Sequence, residues 1–223
     1  MIKIQASIKW IIAMIIPVFI LMTAIRLLLT PFFLDYEYNK PSFPPDPYGF
    51  TTEDRLIYSR VAIEYLLNDA EIDYLGKLKF PDSNDFYNER ELSHMLDVKL
   101  LVKLMIQIWN ILLLIFVFIG VMLWHKKKVL LFYQSLQLGG WLTVGLILLI
   151  LMGVGISFSA LFTGFHKIFF EGETWIFYYS DSLIRLFPMK FWQDAFTLLG
   201  IFTLVVGVIL IYLSRKLLLS NKY

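Results

Sequence analysis

His94 and the charged side chains around it are the first place in this chain where chemistry could reside. The run Glu89-Arg90-Glu91-Leu92-Ser93-His94-Met95-Leu96-Asp97 stands directly before a long apolar stretch that begins at Val98. On a helix, Arg90 lies four residues before His94, Glu91 three before and Asp97 three after, so all can share its face. A carboxylate hydrogen-bonded to one ring nitrogen fixes the imidazole tautomer and leaves the other nitrogen free to act as a base. Glu91 and Asp97 are equal candidates for that orienting role. His166 also sits immediately beside an apolar stretch, whereas His125 belongs to a basic His-Lys-Lys-Lys run and reads as a solvated anchor. A lone histidine of this kind is more often a solvated surface residue than a base. Two at one depth, in a chain with three histidines, make a shared site the reading to test.

The elements that must position them are transmembrane helices. The 223 residues are 58% hydrophobic, with a mean hydropathy of +0.68. Apolar runs at 10–34, 98–124, 141–162 and 191–213 each suit a crossing, which takes roughly 20 residues. The predicted fold class is an all-α membrane protein, one integral domain with four transmembrane helices. The first run is far longer than a signal peptide's apolar core of roughly 7–15 residues, so it reads as a permanent span.

Charge orients the spans. All 18 acidic residues fall within Asp35–Asp97 or Glu171–Asp194. The segments at the other ends of the spans are purely basic: Lys3 and Lys9, Lys126-Lys127-Lys128, then Arg215, Lys216 and Lys222. Excess Lys and Arg in short loops marks the cytoplasmic side. Both termini are therefore expected inside, and the segments 35–97 and 163–190 outside. His94 then stands roughly 9 Å above Leu100, at headgroup and glycerol depth. The chain has no cysteine, which excludes disulfides and a thiolate nucleophile.

Within this frame the first span carries Pro17, a kink site, and Arg26, an intramembrane charge suited to a polar cavity between helices. Four prolines in 41–47 preclude helix and favour an extended path. Thr51-Thr52-Glu53-Asp54 resembles a capping box and opens an amphipathic outer helix over 52–68. A short hairpin or irregular link is expected over 71–88. Asn88 and Glu91 then cap the helix that carries His94. Glycines 139, 140, 145, 153 and 155 in the third span suggest close helix approach, and 129–138 is mixed enough to lie in the interface.

Other chemistries lack their motifs. There is no HExxH, phosphate loop or Gly-x-Ser-x-Gly, and neither Ser93 nor Ser180 sits in a nucleophile turn. The histidine and carboxylate spacings match no standard metal site. An acidic outer face and short inner loops disfavour nucleic acid.

Three outer motifs resemble the lipoprotein intramolecular transacylases, the Lit family. They are Phe43-Pro-Pro-Asp-Pro-Tyr-Gly-Phe-Thr-Thr-Glu-Asp-Arg-Leu-Ile-Tyr-Ser59, Glu89 through Lys99, and Phe165-His-Lys-Ile-Phe-Phe-Glu-Gly-Glu-Thr-Trp175 with Tyr179 through Pro188. The resemblance implies a four-span bacterial enzyme of the cell membrane. It implies transfer of the sn-2 acyl chain of a diacylglyceryl-modified lipoprotein to the α-amino group of its own N-terminal cysteine. It further implies that His94 and His166 are the family's two outer histidines, and that no cofactor, metal or nucleotide is required. In the reading that combines both lines, His94 is the favoured base, oriented by Glu91 or Asp97. His166 or an arginine such as Arg55 or Arg185 steadies the oxyanion. The partners expected are the lipoprotein substrate and membrane lipid, with the protein a monomer. Two rival readings keep the same topology. One is a non-enzymatic membrane adaptor that docks a partner through its outer loops; the other is a different interfacial lipid acyltransferase or hydrolase.

Overall fold

The computed structural model of the protein describes residues 2–220, with side chains from residue 4. Lys222 and the side chain of Lys3, counted above among the basic residues, lie outside it. Eight helices follow in chain order: α1 (Ile2–Leu28), α2 (Pro31–Tyr38), α3 (Thr52–Leu67), α4 (Asp73–Gly76), α5 (Glu89–His125), α6 (Val129–Phe169), α7 (Ser182–Leu186) and α8 (Met189–Ser220). Helices α1, α5, α6 and α8 are long and apolar enough to cross a membrane. Among the described residues there is no strand, only an isolated bridge between Lys79 and Asp85. The protein is an all-helical, four-span membrane protein.

The chain folds as two compact units. Among the described residues the first comprises 2–26, 106–156 and 197–220. Ile12, Ile16, Ile20 and Leu123 form its buried cluster. Two glycines of α6 allow close approach there. A methyl at Gly139 would meet the Ile16 side chain at 2.4 Å, and one at Gly140 would meet Ile211 at 2.7 Å. Gly145 and Gly155 have nothing within 4 Å, so the expected close contact does not extend to them. Arg26 lies 4.2 Å over the Trp109 ring, whose Nε1 donates to Thr23 Oγ1 at 2.9 Å. The indole face, rather than an open polar cavity, therefore meets this cation.

The second unit comprises 27–105 and 157–196. The first span was expected to reach residue 34, but α1 stops at Leu28. Thr30 caps α2 through the Phe33 amide, and Pro31 takes its first position, where the missing N–H costs nothing. Helix α3 begins in the predicted capping box, with Thr51 and Asp54 answering each other. The link over 71–88 contains the short α4, then the bridge at Lys79. Its aromatic rings pack into a core of Phe50, Tyr65, Leu75, Phe86, Tyr87 and Met95. Residues 129–138 continue directly into the third span as one helix, α6, instead of lying apart.

Glu37 on α2 is fully buried. Its Oε2 accepts from Lys40 Nζ at 2.7 Å, and Lys40 also reaches Asp194 at 3.3 Å. Burial pushes the Glu37 carboxyl up to about 7, against the pull of Lys40 and with help from the Asp194 carboxylate. A raised value means the folded state holds the proton more tightly than the unfolded chain. That stabilisation is complete below about 4.5 and is lost as pH rises through about 7. Thermal unfolding in detergent is therefore expected to move to lower temperature across that window. Glu37→Gln, neutral throughout, should flatten the profile; an unchanged profile would contradict this account.

Candidate active site

Helix α5 starts where the sequence says it should. Asn88 Oδ1 accepts from the Glu91 amide at 3.0 Å, and Glu91 Oε2 accepts from the Asn88 amide at 2.8 Å. The other Glu91 oxygen accepts from the Leu183 amide at 2.6 Å. Arg90 Nη2 pairs with Asp181 at 3.3 Å, and its guanidinium lies 5.1 Å from the Tyr178 ring. The first turn of α5 thus clamps the segment that leads into α7. His94 follows one turn later, in the lee of that clamp.

His166 arrives from the end of α6. That helix breaks its regular geometry at Ser157 (φ −159°, ψ 95°). Ser157 Oγ accepts from the Ala160 amide at 3.3 Å, so the hydroxyl restarts the helix as an N-cap. His166 lies in the last turn of α6, and its side chain folds back one turn along the helix. Its Nδ1 bonds the Phe162 carbonyl at 2.8 Å. A carbonyl only accepts, so Nδ1 carries the proton and Nε2 of the neutral ring carries the lone pair.

The two imidazoles meet. Their centroids are 6.0 Å apart and their planes 23° from parallel. Both residues are 7% exposed, so neither is a solvated surface histidine. Phe170 packs edge-on to His94 at 4.9 Å, and Phe177 at 5.4 Å. Phe162 and Trp175 pack on His166 at 4.2 and 5.0 Å. The result is two buried imidazoles packed among aromatic rings.

The other candidates take different positions. Neither Glu91 nor Asp97 orients His94. Both Glu91 oxygens are committed to backbone amides, no bond joins Asp97 to the ring, and His94 Nδ1 is buried without a partner. The ring with a fixed tautomer is His166, through a carbonyl that spacing to carboxylates did not reveal. Arg55 donates to the carbonyls of Arg185 and Pro44 at 3.0 and 2.7 Å. Arg185 donates to Asp46 and to the Tyr48 carbonyl at 3.0 and 3.1 Å, and lies 3.5 Å over Phe50. These two guanidinium groups fasten the proline-rich 41–50 segment, and their donors do not meet the histidines. Among the described residues no three His, Cys, Asp or Glu side chains converge to hold a metal ion. Sequence reasoning did not single out Arg90–Asp181, the Phe162 carbonyl or Trp175.

Comparison with known proteins points one way. A family model described as lipoprotein intramolecular transacylase Lit matches residues 10–192. An uncharacterised protein of Aquifex aeolicus (strain VF5) is 27% identical over 219 residues, spanning 95% of this chain and 96% of that one. The in meso structure of the membrane integral lipoprotein intramolecular transacylase Lit from Bacillus cereus superposes with a TM-score of 0.79 at 23% identity, covering 100% of this chain and 99% of that one. A histidine-to-alanine variant of that protein gives 0.75 at 21% identity, covering 99% and 96%.

Proposed function

This chain belongs to the lipoprotein intramolecular transacylase family, and from that premise we propose that His166 is its general base and His94 the donor that steadies the reacting ester. The protein is an acyltransferase of the membrane. The substrate we assign is a lipoprotein whose N-terminal cysteine carries a diacylglyceryl group. The acyl chain moved is the one at sn-2.

The chemistry follows from the fixed tautomer. The cysteine's free α-amine attacks the sn-2 carbonyl carbon, and His166 Nε2 takes a proton from the nitrogen as the C–N bond forms. The tetrahedral centre collapses by breaking its bond to the glycerol oxygen. His166 returns the proton to that oxygen, so an ester and an amine become an amide and an alcohol. His94, 6.0 Å away across the ring pair, donates a hydrogen bond from its neutral ring to the departing oxygen. Much of the rate comes from holding amine and ester of one molecule together. The aromatic walls exclude water, which would otherwise hydrolyse the ester.

The site is assigned to the extracellular face. The basic turn Lys126-Lys127-Lys128 follows α5, and basic loops favour the cytoplasm. Helix α5 has 37 residues, so it runs roughly 55 Å, well beyond a hydrocarbon core of about 30 Å. With its end at the inner surface, its first turns reach the outer glycerol layer. There a diacylglyceryl ester and two buried imidazoles coincide.

The observation that carries the assignment is the pair of buried histidines with one tautomer fixed by the Phe162 carbonyl. Its test is conversion of a synthetic diacylglyceryl lipopeptide by purified protein, with the N-acyl product identified by fragmentation mass spectrometry. Wild type is expected to convert it, and the double variant His94→Ala/His166→Ala is expected not to. Full activity in the double variant would overturn the site.

A further inference from the structure

A tetrahedral intermediate formed beside two buried imidazoles needs a donor for the oxygen that was the ester carbonyl. Of the cations singled out on sequence grounds, Arg55 donates to the Pro44 and Arg185 carbonyls, and Arg185 to Asp46 and the Tyr48 carbonyl. The Trp175 indole has no such commitment. Its ring packs 5.0 Å from the His166 ring, and its Nε1 is shielded from solvent with no hydrogen-bond partner. The protein can satisfy an indole when no substrate is needed there, since Trp109 Nε1 donates to Thr23 at 2.9 Å. A buried N–H left unmade carries a penalty that a fold does not ordinarily retain. His94 Nδ1, on the ring 6.0 Å from His166, is likewise buried and unpartnered. Two unanswered polar atoms therefore belong to rings that flank the His166 imidazole.

Resting on the transacylase reading above, we propose that Trp175 is a catalytic residue whose indole N–H donates to the carbonyl oxygen of the attacked ester. The indole makes and breaks no covalent bond. Its hydrogen bond strengthens as negative charge builds on that oxygen, then relaxes when the carbonyl re-forms in the amide. The rings of Phe162, Phe165 and Phe170 that pack on His166 give the reacting centre a low-dielectric setting, in which a neutral donor counts for more than it would in water. A neutral donor also suits an apolar acyl ester, because it brings no charge for the lipid chain to desolvate. Trp175 sits inside a tight turn: Gly172 just before it takes φ +68°, and the Ile176 amide closes on the Glu173 carbonyl at 3.1 Å.

Trp175→Phe keeps an aromatic ring and deletes the donor. With the diacylglyceryl lipopeptide as substrate, kcat is expected to fall by about 10²-fold, in the range for loss of one oxyanion donor. KM should stay within about threefold, because the ground-state carbonyl is a weaker acceptor than the oxyanion. The thermal midpoint should not fall. A second readout does not use turnover: an N-acetylated diacylglyceryl lipopeptide keeps the ester but has no attacking amine. Binding it should shift the 15N-indole N–H resonance of Trp175 downfield, the signal being assigned by its loss in Trp175→Phe. Unchanged kcat, a rise in KM alone, or an unmoved indole resonance with the analogue bound would overturn the proposal. If wild type itself does not convert the lipopeptide, the transacylase reading fails; if wild type and Trp175→Phe convert it equally, this inference alone fails.

Discussion

His166→Ala is expected to lower turnover of a diacylglyceryl lipopeptide by about 10²–10⁴-fold, the usual contribution of a positioned general base. The reason is geometric. The Nδ1 bond to the Phe162 carbonyl at 2.8 Å holds both ring angle and tautomer, so Nε2 is presented as an acceptor. His166→Asn tests that point, since an amide can reproduce the bond to Phe162 but cannot take up a proton. It should be as inactive as alanine. His94→Ala should be less damaging, because a lost hydrogen bond to the leaving oxygen weakens one interaction while the base survives. Equal and full activity of the His166 variants, measured at saturating lipopeptide, would remove the base from the mechanism.

The second large effect concerns stability. Glu91→Ala is expected to cost about 2–4 kcal/mol, since one buried amide and one part-buried amide would lose their acceptor. Those amides belong to Asn88 and Leu183, at 2.8 and 2.6 Å, and Glu91 is 1% exposed. One oxygen caps α5; the other fastens the first turn of α7. Glu91→Gln retains one acceptor oxygen and should recover part of the loss. Turnover should fall in the alanine variant too, because the clamp holds Phe177 against His94 at 5.4 Å. The check is thermal unfolding in detergent beside lipopeptide conversion. A midpoint equal to wild type would mean the Leu183 bond contributes nothing.

These residues also mark what could be read without coordinates. The four spans were legible because hydropathy and charge sorting survive without any knowledge of packing. The caps at Thr51 and Asn88 were legible because a cap is a local device, set within three residues. The break before α2 was less so: Leu27–Leu34 is nearly continuous in apolar character, and only Thr30-Pro31 signals the restart. The part played by Glu91 was misread for a physical reason. Helical spacing places it three residues from His94, but beyond the local Asn88 cap its other oxygen meets an amide 92 residues away. A long-range backbone partner leaves no mark in local spacing. The Phe162 carbonyl was accessible in principle, since a helical side chain leans back over the turn before it and so reaches the carbonyl four residues earlier. The arginines illustrate the reverse case, in which positively charged groups that suit an oxyanion instead hold a proline-rich segment in place.

The central claim is acyl transfer within one substrate molecule, and it is tested most directly by mixing two lipopeptides. One carries light acyl chains on a light peptide; the other carries heavy chains on a heavy peptide. After incubation with wild-type protein, fragmentation mass spectrometry should find light chains only on light N-termini and heavy chains only on heavy ones, with each parent mass unchanged. Mixed light–heavy products, or loss of one acyl chain as free fatty acid, would contradict the account.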